Sequence, residues 1–174
     1  MKRFESGVQY TLASPENVDE MRTFLYEHGK NQWNHIPEEG VDAEMRAVTE
    51  GRAFARLALV DCEIGGFAVA YPGYARFSKL NDPDIPASAV GYIGNVVVDT
   101  QHVGKGIGAA LLEHVKTDMA GRGMRLVNID CHEENTASRG MMRKAGFTEL
   151  AVFEDLNRRF VGSRRTFVGI ARLD

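Results

Sequence analysis

The chain has 174 residues, a formal net charge of −3 and an isoelectric point near 6.0. This length suits one domain that buries roughly two thirds of its unfolded surface, and we predict a single domain over residues 1–174. The weakly acidic charge gives no overall basic footprint for nucleic acid or for an anionic membrane, so we expect neither partner.

Patterns that mark secreted, membrane or metal-binding proteins do not occur in the sequence. Residues 1–7 lack the apolar core of a signal peptide, and no run of 18 apolar residues occurs. The two cysteines, Cys62 and Cys131, form no C-x-x-C motif, and the five histidines show no metal-ligand spacing with acids or cysteines. We therefore expect a soluble, cytoplasmic protein with reduced thiols and no metal.

Hydrophobic periodicity and turn residues divide the first half of the chain into alternating types of element. In chain order, these are a strand at 8–13, helices at 14–29 and 37–50, strands at 53–60 and 64–71, and a proline-rich loop at 72–86. The two later strands are separated by only three residues, a spacing that predicts a β-hairpin.

The second half predicts strands and helices in alternation. In chain order, these are a strand at 88–98, a helix at 107–119, a strand at 124–130, a helix at 135–145, and strands at 147–153 and 164–172. The first three form a β-α-β unit, whose strands should be parallel with a right-handed crossover. The strand at 88–98 is nearly all apolar, and Gly91 and Gly94 within it predict a bulge or a close backbone approach.

A glycine-rich turn connects the strand that ends at Val98 with the helix that begins at Ile107. Gly104, Gly106 and Gly108 stand at alternate positions there, and Lys105 can add a solvated positive charge. The first N–H groups of a helix have no partner inside the helix, and the helix dipole adds partial positive charge to them. Glycines keep side chains away from those donors, so this turn predicts a phosphate site.

These residues, together with Asn135 and the sequence Ala145-Gly146-Phe147, resemble the GNAT superfamily of acetyl-CoA-dependent N-acetyltransferases. The order of predicted elements also matches that family along essentially the whole chain. The resemblance implies an α/β fold of the α+β type, with a mixed central sheet that splays apart at the cofactor site and helices on both faces. It also implies that the protein is an acetyltransferase with acetyl-CoA as co-substrate.

The resemblance implies a role for each of ten cofactor-binding residues: Val96, Val97, Val98, Val103, Gly104, Lys105, Gly106, Ile107, Gly108 and Asn135. The pyrophosphate would lie on backbone N–H groups of residues 103–108. The pantetheine arm would pair with residues 96–98 like an extra strand, and one strand N–H would polarise the acetyl carbonyl. Asn135 would contact the cofactor, although it also fits a plain helix cap.

The sequence departs from the family pattern at two positions. Val103 stands where the turn usually begins with Arg or Gln. Met142 stands seven residues after Asn135, where many members carry a Tyr thought to protonate the leaving thiolate.

A lysine-like amine is mostly protonated at pH 7, so its attack on a thioester needs a proton acceptor. The candidates for this base are Glu44, which lies in an acidic helical stretch with Glu38, Glu39 and Asp42, and the pair His132 and Glu133, which Glu134 follows. Each of these groups also fits an exposed, solvated face or loop. Trp33 and His35 are candidates to line the acceptor pocket. The acceptor, a small-molecule or peptide amine, is not identified by the sequence, which also leaves a homodimer open.

Two other functions fit parts of the sequence. Gly104-x-Gly106-x-x-Ala109, with Asp130 as a ribose ligand, matches a loose dinucleotide fingerprint of an oxidoreductase. The single β-α-β unit and the distance from Val98 to the first glycine argue against that function. A non-catalytic acyl-CoA sensor is the other alternative, because Met142 removes the usual acid.

Overall fold

The computed structural model describes residues 7–173. Residues 1–6, to which most of the signal-peptide expectation applies, and residue 174 lie outside the described part. The strands are β1 (Gln9–Leu12), β2 (Phe54–Val60), β3 (Glu63–Tyr71), β4 (Val90–Val98), β5 (Leu126–His132), β6 (Thr148–Glu154) and β7 (Arg165–Arg172). The helices are α1 (Val18–His28), α2 (Glu38–Thr49), α3 (Ile107–Gly121) and α4 (Thr136–Lys144).

The seven strands form one mixed sheet with the order β1-β2-β3-β4-β5-β7-β6. Strands β4 and β5 run parallel on either side of the α3 crossover, as predicted, and the other described strand pairs are antiparallel. A dinucleotide-binding fold needs a second parallel half, which the described sheet lacks. The topology therefore argues against the oxidoreductase alternative.

Helices cover both faces of the sheet, and each face has its own apolar core. One core joins α3 and α4 to the sheet and includes Leu111, Leu112 and Val115, which are fully buried. The other core joins α1 and α2 to the opposite face and includes Met21 and Met45. Apolar residues at helical spacing form the face of each helix that packs against the sheet. This packing explains why both faces of β3 and of the first half of β4 are buried.

The sheet splays between β4 and β5. These strands pair from Val90 with Leu126 to Ile93 with Ile129, and the pairing stops there. Beyond Ile93, β4 remains paired with β3 on its other side, while β5 remains paired with β7 as far as His132. The second half of β4 therefore has no strand partner on its β5 side, and a gap opens between the two strands.

A β-bulge lies in β4 where the gap begins. Ala68 is paired with Val96, and Ala70 is paired with Ile93, so Gly94 and Asn95 together face one residue of β3. A Cβ at Gly94 would overlap the carboxylate of Glu44 and would approach the Tyr71 ring to 3.1 Å. Gly94 therefore serves both predicted roles, because it lies at a bulge and allows a close approach to the backbone.

Several element boundaries differ by one or more residues from the sequence predictions. Residues 15–17 form a single 3-10 turn, so α1 begins at Val18. Residues 87–89 form another 3-10 turn, so β4 begins at Val90 rather than at 88. Strand β5 lies two residues later than predicted, because its pairing with β7 continues as far as His132 opposite Thr166. The alternative in which His132 lies in an exposed loop is therefore wrong.

Within residues 7–173, every helix is too short or too polar to cross a lipid bilayer.

Candidate active site

A cavity of about 750 Å³ lies where β4 and β5 diverge. Helix α2, the bulge of β4, the end of β5 and the loops at 29–37, 72–89 and 155–164 contribute its walls. Its polar and aromatic lining residues include His35, Glu44, Arg52, Tyr71, Tyr74, Arg76, Tyr92, Asn95, Asp130, Cys131, Arg158 and Arg159. This cavity adjoins the open edge of β4, so a group bound in it lies beside the gap in the sheet.

Glu44 is a buried carboxylate in the wall of this cavity. It is 7% exposed, and its Oε2 accepts a hydrogen bond of 3.0 Å from the Tyr71 hydroxyl. Its Oε1 accepts a hydrogen bond of 2.8 Å from Asn95 Nδ2, next to the bulge. Burial raises the pKa of Glu44, and the hydrogen bonds from Asn95 and Tyr71 oppose that rise. A carboxyl group of raised pKa at the end of the gap has the properties of a general base.

The other acids of α2 do not share this environment. Glu38 and Glu39 are exposed on the first turn, as a solvated face predicts, and Asp42 forms an ion pair with Arg22 of α1. Of the four acids in this stretch, only Glu44 lines the cavity. Its position three residues after Val41 and four before Val48 puts it on the apolar face of the helix, and this signal was present in the sequence.

Three tyrosine rings form a cluster beside Glu44. The ring centroids of Tyr71 and Tyr92 are 6.2 Å apart, and Tyr74 lies 5.9 Å from Tyr71 and 5.8 Å from Tyr92. Burial and the neighbouring carboxylate of Glu44 raise the pKa of Tyr71 well above its usual value. Burial and the carboxylate of Asp130 likewise raise the pKa of Tyr92. Both phenols therefore remain protonated at neutral pH and act as hydrogen-bond donors.

Asp130 is the centre of a buried ion-pair network. Its side chain is 1% exposed; Oδ1 accepts a hydrogen bond of 2.5 Å from the Tyr92 hydroxyl, and Oδ2 accepts hydrogen bonds from Arg158 at 2.8 Å and Arg159 at 2.7 Å. Arg159 also donates to the Thr166 hydroxyl at 2.8 Å. The network ties the 155–164 loop to the end of β5. Asp130 thus has a structural role, and the ribose-ligand role of the oxidoreductase alternative finds no support.

Cys131 lies next in the chain and lines the same cavity. Burial, assisted by the charge of Asp130, raises the pKa of its thiol to about 12. The thiolate is the nucleophilic form of cysteine, so this thiol is inert near neutral pH.

The glycine-rich turn has an open backbone. Gly104 and Gly106 have φ values of +85° and +82°, and a Cβ on either residue would meet no atom within 4 Å. Gly106 is the N-cap of α3 and gives the helix no side-chain cap, and the first turn of α3 contains no acid. Val103 is 66% exposed, and Lys105 is exposed as well. The free N–H groups of this helix end therefore face open space, as a phosphate site requires.

Gly108 has a different role from the other two glycines. A Cβ there would overlap the sulfur of Met141 in α4 and would approach Val98 Cγ2 to 3.6 Å. Its missing side chain therefore lets α3 pack closely against α4 and β4, and our expectation that it also clears space for an anion stays a prediction. The buried side chain of Ile107 likewise points into the core, so only its N–H is available to a ligand.

The end of β4 and the start of α4 flank the turn. Val97 is buried against the α1 and α2 core, whereas Val96 and Val98 are half-buried on the α3 side. Asn135 is the N-cap of α4, and its Oδ1 accepts a hydrogen bond of 3.1 Å from the Ser138 N–H. Its role as a cap is thus confirmed, while a contact with the cofactor stays a prediction.

The structure places the other candidate bases away from the cavity. His132 is fully buried, and its Nδ1 accepts a hydrogen bond of 3.1 Å from the Glu134 N–H. The ring proton therefore lies on Nε2, which donates to the Val161 carbonyl at 2.8 Å. Glu133 lies 3.4 Å from Arg165 in an ion pair at the β5–β7 edge. Both nitrogens of His132 are thus in use, and neither residue lines the described cavity.

Of the two residues predicted to line the acceptor pocket, one does and one does not, and Met142 at the family's tyrosine position is buried. His35 lines the cavity and meets Phe160 edge-on at 5.2 Å, but Trp33 packs against the His132 ring at 4.6 Å instead. Met142 is 2% exposed in the apolar core that also contains Cys131. A thioether has no proton to give, so this position supplies no general acid.

The family model for the acetyltransferase (GNAT) family matches residues 18–147, which is most of the chain. Solved structures share the fold over nearly the whole chain at low identity. The yncA protein of Salmonella typhimurium, solved with its cofactor acetyl-CoA, has a TM-score of 0.74 at 17% identity, with 97% of this chain and 95% of that chain covered. An N-acetyltransferase of Staphylococcus aureus has a TM-score of 0.76 at 14% identity, with 97% and 100% covered.

A third structure, the ribosomal-protein-alanine N-acetyltransferase of Brucella melitensis, has a TM-score of 0.74 at 16% identity, with 95% of this chain and 99% of that chain covered. No curated protein sequence matches the chain. The structural likenesses establish the splayed mixed fold, and the family model adds the enzyme class. The chain therefore belongs to the GNAT family of acetyltransferases.

Proposed function

We propose that this enzyme transfers an acetyl group from acetyl-CoA to the amine of an acceptor by direct attack on the thioester, with Glu44 as the general base. The observation that carries the proposal is the position of Glu44, which is buried at the bulge where the edge of β4 becomes free. A base at that point can receive a proton from an amine that lies between the cavity and the gap.

The residues around the gap fit acetyl-CoA. The open, left-handed glycines 104 and 106 leave the N-terminus of α3 accessible to a pyrophosphate. The donors are N–H groups of residues 103–108 other than that of Lys105, which donates to the His102 carbonyl at 3.3 Å. The free edge of residues 96–98 offers backbone groups to the pantetheine arm. We infer that Asn135 borders the same arm from the start of α4. Bound acetyl-CoA supplies an activated acetyl group in the form of a thioester.

The chain's own groups then have separate roles. Backbone N–H groups on the free edge of β4 polarise a carbonyl placed in the gap, because fixed donors in a site with little water stabilise developing negative charge. Glu44 holds the proton that the attacking amine releases. The Tyr71 hydroxyl and the Asn95 amide keep the carboxylate in place. The thiol of Cys131 is inert, so we propose direct transfer without an acyl-cysteine step.

The lack of an acid at Met142 does not prevent this chemistry. A thiol with an ordinary pKa of about 8.5 is a fair leaving group near neutral pH even without a donor. A general acid adds at most about 10²- to 10⁴-fold, and water can replace part of it.

Calorimetric titration with acetyl-CoA tests the cofactor site. Wild type should bind acetyl-CoA and should not bind NADH comparably. Gly106→Glu places a negative charge at the helix N-terminus and should weaken acetyl-CoA binding by about tenfold or more. Gly106→Ala, which has the same backbone strain without the charge, is the matched control. Unchanged binding by a folded Gly106→Glu variant, or tighter binding of NADH than of acetyl-CoA, would contradict the assignment.

A further inference from the structure

Within residues 7–173, the cavity that contains Glu44 is lined by four arginines and two carboxylates. Arg52 is balanced by Glu50, which lies 2.6 Å away in an exposed ion pair. The remaining arginines, Arg76, Arg158 and Arg159, therefore decide the charge of the cavity beyond Glu44.

Asp130 is not available to a positively charged ligand. Both of its oxygens accept hydrogen bonds, from the Tyr92 hydroxyl and from the guanidinium groups of Arg158 and Arg159, and its side chain is almost completely buried. Asp155 is the second acid of this network, since it lies 3.6 Å from Arg158. Glu44 is therefore the lining carboxylate that an amine can use.

Arg76 has no ion-pair partner within residues 7–173. Its guanidinium lies over the Tyr92 ring, 5.1 Å from the centroid, at the exposed side of the tyrosine cluster. Three guanidinium groups thus face two carboxylates, Asp130 and Asp155, which leaves one unpaired positive charge in the wall. The other side of the same cluster contacts Glu44 through the Tyr71 hydroxyl.

The loop that carries Arg76 is anchored to the sheet. Phe77 and Ile85 are buried beneath it, and the amides of Asn81 and Asn128 donate to each other at 2.9 Å and 3.0 Å. The backbone at Arg76 is therefore held in place before any ligand binds, which lowers the entropy cost of a contact with its side chain.

From this arrangement, and resting on the proposed function, we propose that the acceptor is a small amine that also carries a carboxylate, namely a free amino acid. Its amine lies at Glu44, and its carboxylate lies against Arg76. One unpaired guanidinium matches one negative charge, which favours a carboxylate over a doubly charged phosphate ester. An amine without an anionic group would bring a second uncompensated positive charge toward the arginines.

Calorimetry with the protein saturated with CoA tests this assignment without requiring turnover. The probes are the standard amino acids, their carboxamides and the corresponding decarboxylated amines, together with the aminoalkylphosphonate analogue of the best acid. A charge-assisted pair with arginine predicts that the best acid binds about 10- to 100-fold more tightly than its amide or amine. We also expect the phosphonate to bind more weakly than the carboxylate.

Variants separate the contact from general damage to the fold. Arg76→Gln should remove most of the preference for the acid over its amide and leave CoA binding unchanged, and Arg76→Lys should keep part of it. Arg125→Gln is the matched control, because Arg125 is exposed at the other end of β5 and does not line the cavity. It should leave the preference intact.

Three results would overturn the proposal: no amino acid binds the CoA complex, the amides and amines bind as tightly as the acids, or Arg76→Gln weakens every ligand equally. Acetyl transfer to amines with no preference for a carboxylate would also overturn it while supporting the proposed function. Conversely, a preference for acids that depends on Arg76, without any acetyl transfer, would support this pocket assignment and refute the proposed function.

Discussion

Replacing Glu44 with Gln tests the proposed base with little change in shape. The variant keeps the side chain's length and its place under Gly94, but it cannot accept a proton. Loss of a general base typically costs about 10²- to 10⁴-fold in rate. At about 1.36 kcal/mol for each tenfold change, this is about 2.7 to 5.4 kcal/mol of transition-state stabilisation. We expect a loss of kcat/KM in this range, with acetyl-CoA binding unchanged.

The pH dependence of the comparison isolates Glu44. The acceptor amine must lose its proton in both proteins, so that ionisation cancels in the ratio of wild-type kcat/KM to Glu44→Gln kcat/KM. The ratio should be large at neutral pH and should fall toward one as pH decreases through the pKa of Glu44. Because burial raises that pKa, the fall should begin above the usual carboxyl range near about 4.3.

The stability of the same variant provides a second measurement. The folded protein binds the Glu44 proton more tightly than the unfolded chain does. The wild-type free energy of unfolding therefore falls as pH rises from about 4.3 to the raised folded pKa. Gln has no charge to bury, so the variant should gain stability relative to wild type across this window. Chemical denaturation at several pH values measures this difference.

Glu39→Gln is the matched control, because Glu39 is exposed on the same helix. It should change neither the rate nor its pH profile. A Glu44→Gln enzyme with a kcat/KM within about threefold of wild type, or a rate ratio independent of pH, would refute the role of Glu44 as the base.

Three further substitutions test other parts of the site. Gly94→Ala should lower activity strongly and destabilise the fold by about 1 to 3 kcal/mol, because the new Cβ overlaps the Glu44 carboxylate. Gly91→Ala is the control, because its Cβ meets the flexible Met119 side chain instead; it should cost similar stability but retain activity. Cys131→Ser should keep the rate of acetyl transfer within about tenfold of wild type, and mass spectrometry of the wild type with acetyl-CoA should show no acetylated cysteine. A rate loss of more than about 100-fold in this variant would contradict direct attack. Met142→Tyr should leave turnover unchanged or raise it at low pH, where protonation of the leaving group matters most. Met142→Phe, which adds a ring without a hydroxyl, should not raise turnover. The pH-rate profiles of both variants measure the difference.

The sequence was sufficient to predict the features that depend on neighbouring residues. The glycine turn, the cap at Asn135 and the β-α-β unit each rest on residues within a short stretch, where spacing and backbone preference indicate the structure directly. The splay between β4 and β5 came from the resemblance to the family, because the sequence of neither strand shows where their pairing ends.

The environment of the catalytic candidate depends on contacts distant in sequence. Glu44 meets Tyr71, 27 positions later, and Asn95, 51 positions later, and only the folded sheet brings these groups together. The hydrogen bond of Asp130 with Arg158 and the position of Arg76 over Tyr92 likewise join residues that are distant in sequence. The spacing of Glu44 from Val41 and Val48 places it on the apolar face of α2 and separates it from its solvated neighbours, but its hydrogen-bond partners cannot be inferred from the sequence.

The most direct test of the central claim is a screen of amine acceptors with acetyl-CoA, followed by detection of free CoA thiol and by mass spectrometry of the acceptor. We expect release of CoA above the rate without enzyme for at least one amine, with an equal amount of acetylated amine. If acetyl-CoA binds but no amine is acetylated above that background rate, the proposed transfer is wrong and a binding role without catalysis replaces it.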